Sequence, residues 1–163
     1  PGCAAFYRRA LLDDIGLFDE DFWIVYEDAD LSFRAQLAGY KCLYVPSAIV
    51  RHHGQSTIGE YSQLYVYQNQ RNVEYVFLKD MPTALLLWTL PAHLLYNLLA
   101  FVFYTYKRRG LIFLRAKIDV LCAISTLLRK RCYVQRHRRV SVVYIKSQLS
   151  YGWIRRILRE KKY

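Results

Sequence analysis

Glu27, Asp28 and Asp30 stand together in the stretch "YEDAD", with Asp21 shortly before them. They follow an apolar, strand-like run, "FWIVY", and precede a run with helical spacing. Carboxylates at such a junction have a specific chemical use. In open α/β sheets, ligands bind outside the carboxyl ends of the strands. The partial positive charge of a helix N-terminus keeps a nearby carboxylate ionised. An ionised carboxylate facing a hydroxyl can take its proton as a general base. The plainer role for Asp28 or Asp30 is to cap the helix that follows, and the acids alone leave both readings open. His52 adds a second chemistry. It closes the run "AIVRH" ahead of a polar loop. A neutral imidazole there can ligate a divalent metal, although a lone histidine is more often an ordinary polar residue. The adjacent His53 would face the other side of a strand and is the weaker candidate.

The surrounding pattern shows what would position these groups. A short helix is expected over residues 8–15, stopped by Gly16. Asp28 or Asp30 is the expected N-cap of a helix running through Ala38, with Leu31, Arg34, Ala35 and Ala38 at helical spacing and Gly39 just past its end. "KCLYV" and "SAIVRH" read as two short strands separated by Pro46, and residues 53–59 as a loop. A helix rich in aromatics is expected over 60–79. Residues 81–106 then carry no Asp, Glu, Lys or Arg. As a helix this segment is about 39 Å long, and a bilayer core needs only about 20 such residues. A second apolar stretch, 111–128, is interrupted by Arg115, Lys117 and Asp119. Basic sequence follows, "RKRCYVQRHRR" and then "RRILREKKY".

Composition narrows the classes. The chain has 163 residues and opens on Pro1, with no charged leader ahead of a short apolar run, so a piece of a longer protein is expected. Cys3, Cys42, Cys122 and Cys132 show no CxxC pairing, which fits a reducing compartment better than a disulfide framework or a zinc site. Residues 1–106 hold 7 Lys/Arg against 11 Asp/Glu, whereas 107–163 hold 17 against 2. The first part is therefore acidic and the second strongly basic, which implies a site in one and an anionic surface as the partner of the other.

The stretch "GLFDEDFWIVYEDADLSFRAQLAGYKCLYVPSAIVRHHG" resembles the C-terminal half of the catalytic domain of family 2 glycosyltransferases. The likeness is to the rhamnosyltransferase-type branch of bacterial cell-surface polysaccharide synthesis. The shared elements occur in order: Gly-x-Phe-Asp-Glu-x-Phe, Glu-Asp-x-Asp-Leu-x-x-Arg, Gly-Tyr, Val-Pro and Val-x-His. They cover residues 2–54, with weaker likeness onward to Arg139. The resemblance implies an α/β fold. Residues 1–80 would be the acceptor-side part of a glycosyltransferase A-type domain, and 81–163 apolar membrane-associating helices with a basic tail.

It also implies roles. Asp28 matches the catalytic base and Glu27 its acidic neighbour. Asp30 and Arg34 match helix residues behind the site and are both expected on the acceptor-binding side, with Asp30 in acceptor contact or site support. Gly2 and Ala4 belong to a segment that forms the floor under donor and acceptor. Trp23 would stand in the acceptor wall, unless it simply packs in the core. His52 matches a ligand of Mg²⁺ or Mn²⁺. Arg71, in "QNQRN", faintly matches a Gln-x-x-Arg-Trp element of processive relatives and would touch phosphate or acceptor. Asn72 stands in place of that Trp, which argues against a processive polymerase. The reaction implied is inverting transfer from a nucleoside-diphosphate sugar to a saccharide or lipid-linked acceptor. The family's Asp-x-Asp motif has no counterpart in this sequence, so residues 1–163 alone are expected to be inactive.

Sugar nucleotides place Asp28 on the cytosolic side of the bacterial inner membrane. A single crossing by residues 81–106 would put the basic part outside, against the positive-inside tendency. A second crossing would bury Arg115, Lys117 and Asp119 at a cost of about 3 kcal/mol each. The expected arrangement is instead a helix lying in the inner leaflet, kinked near Pro91, with Trp88, Tyr96, Tyr104 and Tyr106 at the interface and cations on anionic head groups. The other placement for this helix is against the remainder of the catalytic domain. A nucleic-acid partner is not expected from an acidic first part and so long an uncharged segment. A non-catalytic membrane scaffold is the remaining rival.

Overall fold

The computed structural model describes residues 2–52, 59 and 62–149. A short 3-10 turn at Gly2–Ala4 precedes seven helices: α1 (Arg9–Ile15), α2 (Glu27–Leu37), α3 (Gln63–Asp80), α4 (Thr83–Tyr106), α5 (Gly110–Cys122), α6 (Ile124–Arg136) and α7 (Val142–Gln148). Helix α3 is the axis of the bundle. α5 and α6 lie along it, α2 packs on it, α4 lies against α5, α1 against α2, and α7 against α4. Its buried set includes Gln68, Gln70, Asn72, Glu74, Lys79 and Asp80, an unusually polar list for a central helix. Buried polar groups require partners, and most of those partners come from the elements around it.

Local chemistry fixes several boundaries. Ser62 Oγ accepts from the Tyr65 backbone N–H at 3.1 Å and caps α3. α2 ends with Gly39 at φ 90°. The Tyr40 N–H donates to Ala35 O at 2.9 Å and the Gly39 N–H to Gln36 O at 3.1 Å. That is the paired closure of a Schellman motif, which a residue with a Cβ closes less easily. Tyr40 then packs on Leu11, Leu31 and Ala38, joining α1 to α2.

The helices expected near 8–15, 60–79 and 81–106 are present as α1, α3 and α4. Other expectations are corrected. The N-cap of α2 is Tyr26 rather than Asp28 or Asp30, because the chain turns left-handed at Val25 and Tyr26 and the helix starts at Glu27. No strand occurs among the described residues. "KCLYV" and "SAIVRH" run without a ladder partner, and Leu43, Tyr44 and Ile49 are exposed. A strand exists only by pairing, and no described segment offers an edge. The α/β architecture therefore rests on family likeness. The loop expected at 53–59 lies outside the described residues except for Gly59, as does the basic stretch from 150 onward.

The stretch 111–128 divides at Ala123 into α5 and α6. Two of its three charges face protein, while Arg115 is exposed. Lys117 Nζ donates to Glu74 Oε1 at 2.6 Å and to Gln70 O at 3.0 Å, and Tyr67 donates to Asp119 Oδ2 at 2.6 Å. Basic residues of the second part also bind acids of the first. Lys130 reaches Asp19 Oδ1 at 2.5 Å and Asp21 Oδ2 at 2.7 Å, while Arg139 holds both oxygens of Asp14 at 2.6 and 2.7 Å. The charge asymmetry of the sequence is thus partly neutralised inside the molecule.

Candidate functional site

The first turn of α2 presents Glu27 and Asp28. The Gly2 backbone N–H donates to Asp28 Oδ2 at 2.7 Å. A Cβ on residue 2 would lie 3.0 Å from the Asp28 Cβ, so any larger residue there would have to displace Asp28 by a few tenths of an ångström. Ala4 ends the same 3-10 turn and is exposed. One Glu27 oxygen, Oε2, is shielded from solvent and has no hydrogen-bond partner among the described residues. Tyr7 lies beside the pair: burial pushes its phenol up, and the Asp28 charge adds to that. Trp23 is 67% exposed in this chain.

Asp30 faces the other way. Residues two apart on a helix point to nearly opposite sides, and Asp30 is fully buried. Arg34 Nε donates to Asp30 Oδ2 at 2.9 Å. Lys79 Nζ lies 2.5 Å from Asp30 Oδ1, by proximity rather than hydrogen-bond alignment, and donates to Asp19 Oδ2 at 2.5 Å. Arg34 also donates to Ile15 O at 2.6 Å and Leu17 O at 2.7 Å, clamping the turn after α1. Burial raises the Asp19 carboxyl, but hydrogen bonds from Lys130 and Lys79 outweigh it and bring it to about 2. Burial and the neighbouring Asp30 push Asp80 well above the usual carboxylate range. This network lies on the opposite side of α2 from Asp28, and its depth leaves Asp30 and Arg34 buried away from any acceptor in the described residues, unlike the acceptor contact expected of them. A cleft of about 220 Å³ lined by Asp19, Arg34, Lys79 and Lys130 opens on this rear side, not at Asp28.

Arg71 is held by the protein itself. It donates to Asp21 O at 2.8 Å, Asn72 Oδ1 at 3.1 Å and the Tyr75 hydroxyl at 2.9 Å. Asn72, read from sequence only as a replaced Trp, is fully buried and donates to Ile24 O at 2.8 Å and Val25 O at 2.7 Å. Sequence reasoning missed this residue, and Tyr7 and Lys79 with it. The polar run "QNQRN" in the middle of a helix was the available signal for Asn72.

His52 is exposed near the end of a described segment. Among the described residues no three His, Cys, Asp or Glu side chains converge as a metal set. One Asp28 oxygen already accepts the Gly2 N–H. The described residues therefore offer a metal one imidazole, not a complete site.

A second polar cluster joins α3, α4 and α5. Glu74 binds His93 Nε2 at 2.8 Å, Asn97 Nδ2 at 2.9 Å and Lys117. Burial raises Glu74, but His93 and Lys117 prevail and hold it at about 2. Tyr104 is buried, with Gln70 Nε2 at 3.5 Å from its hydroxyl, so it does not sit at a membrane interface as expected. The inward face of α4 thus carries His93, Asn97 and Tyr104. Leu87, Trp88, Leu94, Leu95, Leu98 and Leu99 are exposed. By length and composition α4 is able to cross a membrane.

Residues 1–128 match the model of glycosyl transferase family group 2. Two curated relatives are the N-acetylglucosaminyl-diphospho-decaprenol L-rhamnosyltransferases of Mycobacterium tuberculosis strains CDC 1551 / Oshkosh and ATCC 25618 / H37Rv. Each is 34% identical over 93 residues, 55% of this chain and 30% of the relative. The chain thus spans about 30% of the length of these relatives. No solved structure matches.

Proposed function

The chain belongs to glycosyl transferase family group 2, and from that premise we propose that it is the acceptor-side part of an inverting glycosyltransferase. The single observation that carries this reading is the Asp28 carboxylate, delivered at the first turn of α2 and anchored by the Gly2 N–H at 2.7 Å. Asp28 takes the proton of an acceptor hydroxyl. The acceptor oxygen bonds to the anomeric carbon as the bond to the nucleoside diphosphate breaks, inverting that centre. Glu27 adds negative charge beside Asp28. Gly2 and Ala4 form the floor, and the exposed indole of Trp23 offers a stacking face to a sugar ring. Asp30 and Arg34 support α2 from behind. Arg71 holds the segment before α2 and lies on the acceptor side.

Members of this family are generally dependent on a divalent metal. From this chain His52 would contribute to holding Mg²⁺ or Mn²⁺, which would supply positive charge against the diphosphate leaving group. The donor is a nucleoside-diphosphate sugar, rhamnose being favoured by the likeness to the mycobacterial rhamnosyltransferases. The acceptor is a lipid-linked saccharide. Residues 1–80 serve the transfer, and 81–163 attach it to the cytoplasmic face of the bacterial inner membrane, with α4 laid in or through the anionic leaflet. The exposed apolar side of α4 supports this placement. Nucleic acid is not a partner, since several of the cations are already engaged by Asp14, Asp19, Asp21 and Glu74. Residues 1–163 alone are not expected to transfer sugar.

Asp28→Asn in the full-length protein tests the reading. It is expected to lower kcat by about 10³-fold, the range of a general base, with the melting temperature unchanged. Full sugar transfer by this variant would instead support a non-catalytic scaffold.

A further inference from the structure

The turn that delivers Glu27 and Asp28 is strained, and one buried side chain holds it. Val25 and Tyr26 have φ of 65° and 73°. Two consecutive non-glycine residues in the left-handed region cost about 1–3 kcal/mol each, and a β-branched residue is poorly suited to it. No glycine relieves this segment, and the N-cap makes no side-chain hydrogen bond. The turn therefore has to be held from outside.

Asn72 provides that hold. Its Nδ2 donates to Ile24 O at 2.8 Å and to Val25 O at 2.7 Å. Its Oδ1 accepts from Arg71 Nη1 at 3.1 Å, which fixes the orientation of the amide. The same Arg71 nitrogen donates to Asp21 O at 2.8 Å, and its other terminal nitrogen donates to the Tyr75 hydroxyl at 2.9 Å. Both amide hydrogens are thus spent on consecutive carbonyls of the strained turn. Aspartate has no such donors, and glutamine is one methylene too long for a fully buried position. The first helical bond, from the Asp30 N–H to Tyr26 O at 2.9 Å, follows directly.

We infer that Asn72 is a positioning residue for sugar transfer: by clamping the left-handed Val25–Tyr26 turn it sets the direction of the first turn of α2 and so the placement of Asp28. This rests on the reading of Asp28 as base. It gives the segment "QNQRN" a task on the acceptor side that requires no contact with substrate. A displacement of about 1 Å at a reacting group costs about 100-fold in rate.

The test uses the full-length protein and four variants: Asn72→Ala, Val25→Gly, the Val25→Gly/Asn72→Ala double variant, and Asp28→Asn. Asn72→Ala is expected to lower kcat about 100-fold while the KM for the donor stays within about twofold. Glycine adopts the left-handed conformation freely, so the double variant is expected to recover at least about tenfold of that loss. Unchanged kcat in Asn72→Ala, or no recovery in the double variant, overturns the inference. If Asn72→Ala does not fold, Val25→Gly and the double variant are compared. A kcat difference under about tenfold supports the inference, and the full 100-fold loss overturns it. Asp28→Asn separates the two claims. Transfer retained there overturns the base assignment, whereas transfer lost there with Asn72→Ala unaffected overturns the positioning role alone.

Discussion

Asp28 and Asp30 are two residues apart and have opposite lives. Asp28 stands at the front of α2, with one backbone N–H on one oxygen. Asp30 stands at the back, fully buried between Arg34 and Lys79. Helical geometry alone separates them, because a 200° rotation over two residues sends neighbouring acids to different environments. In the proposed reading, one short acidic motif both reacts and holds. The front carboxylate keeps an unsatisfied side for chemistry, and the rear one spends all of its charge on cations that fix α1, α2 and α3 together.

The rear of α2 is where substitution should do the most to stability. Asp30→Ala would leave Arg34 and Lys79 buried without their shared partner, and about 3–5 kcal/mol of folding stability is expected to be lost. Urea unfolding measures this, and a loss below about 1 kcal/mol would break the distinction between front and rear. Asp80→Asn acts on the same network with the opposite sign. The folded carboxyl is raised by burial and by Asp30, so its contribution is full below the unfolded value and is lost as pH rises. The Asn variant is therefore expected to be more stable than the parent at neutral pH, with the gain vanishing below about pH 4.

Acid should unfold the protein through two other carboxyls. Asp19 and Glu74 are both held at about 2 in the fold. Their contribution is present above the unfolded values near about 4 and is lost as pH falls from there toward 2. Melting temperatures across that window should drop, and Glu74→Gln should flatten part of the slope. The smallest expected effect lies at the front. Trp23→Ala should raise the acceptor KM by several-fold, about 1 kcal/mol, and leave the melting temperature unmoved.

Much of the helical layout was legible in the residues. Gly16 and Gly39 marked ends, the helical spacing of Leu31, Arg34, Ala35 and Ala38 marked α2, the run of aromatics marked α3, and the absence of charge marked α4. The start of α2 was not legible, because it is set by Asn72, whose partners Ile24 and Val25 lie 48 and 47 positions away. The apolar runs after Tyr40 were read as strands from alternation, yet pairing needs an edge that these residues do not contain. Sequence cannot show that Lys117, Lys130 and Arg139 of the basic part close onto Glu74, Asp19 and Asp14. Of the candidate site, the Glu27–Asp28 pair was picked out from the motif as a proposal that remains one, while the glycine contact of Asp28 and the hold of Asn72 on the turn were not legible.

The most direct test compares Asp28→Asn and Asp30→Asn side by side in the full-length protein, measuring sugar transfer and melting temperature on both. The account predicts that Asp28→Asn loses transfer at an unchanged melting temperature and that Asp30→Asn melts well below the parent. Transfer surviving in Asp28→Asn, or both variants melting alike, would contradict it.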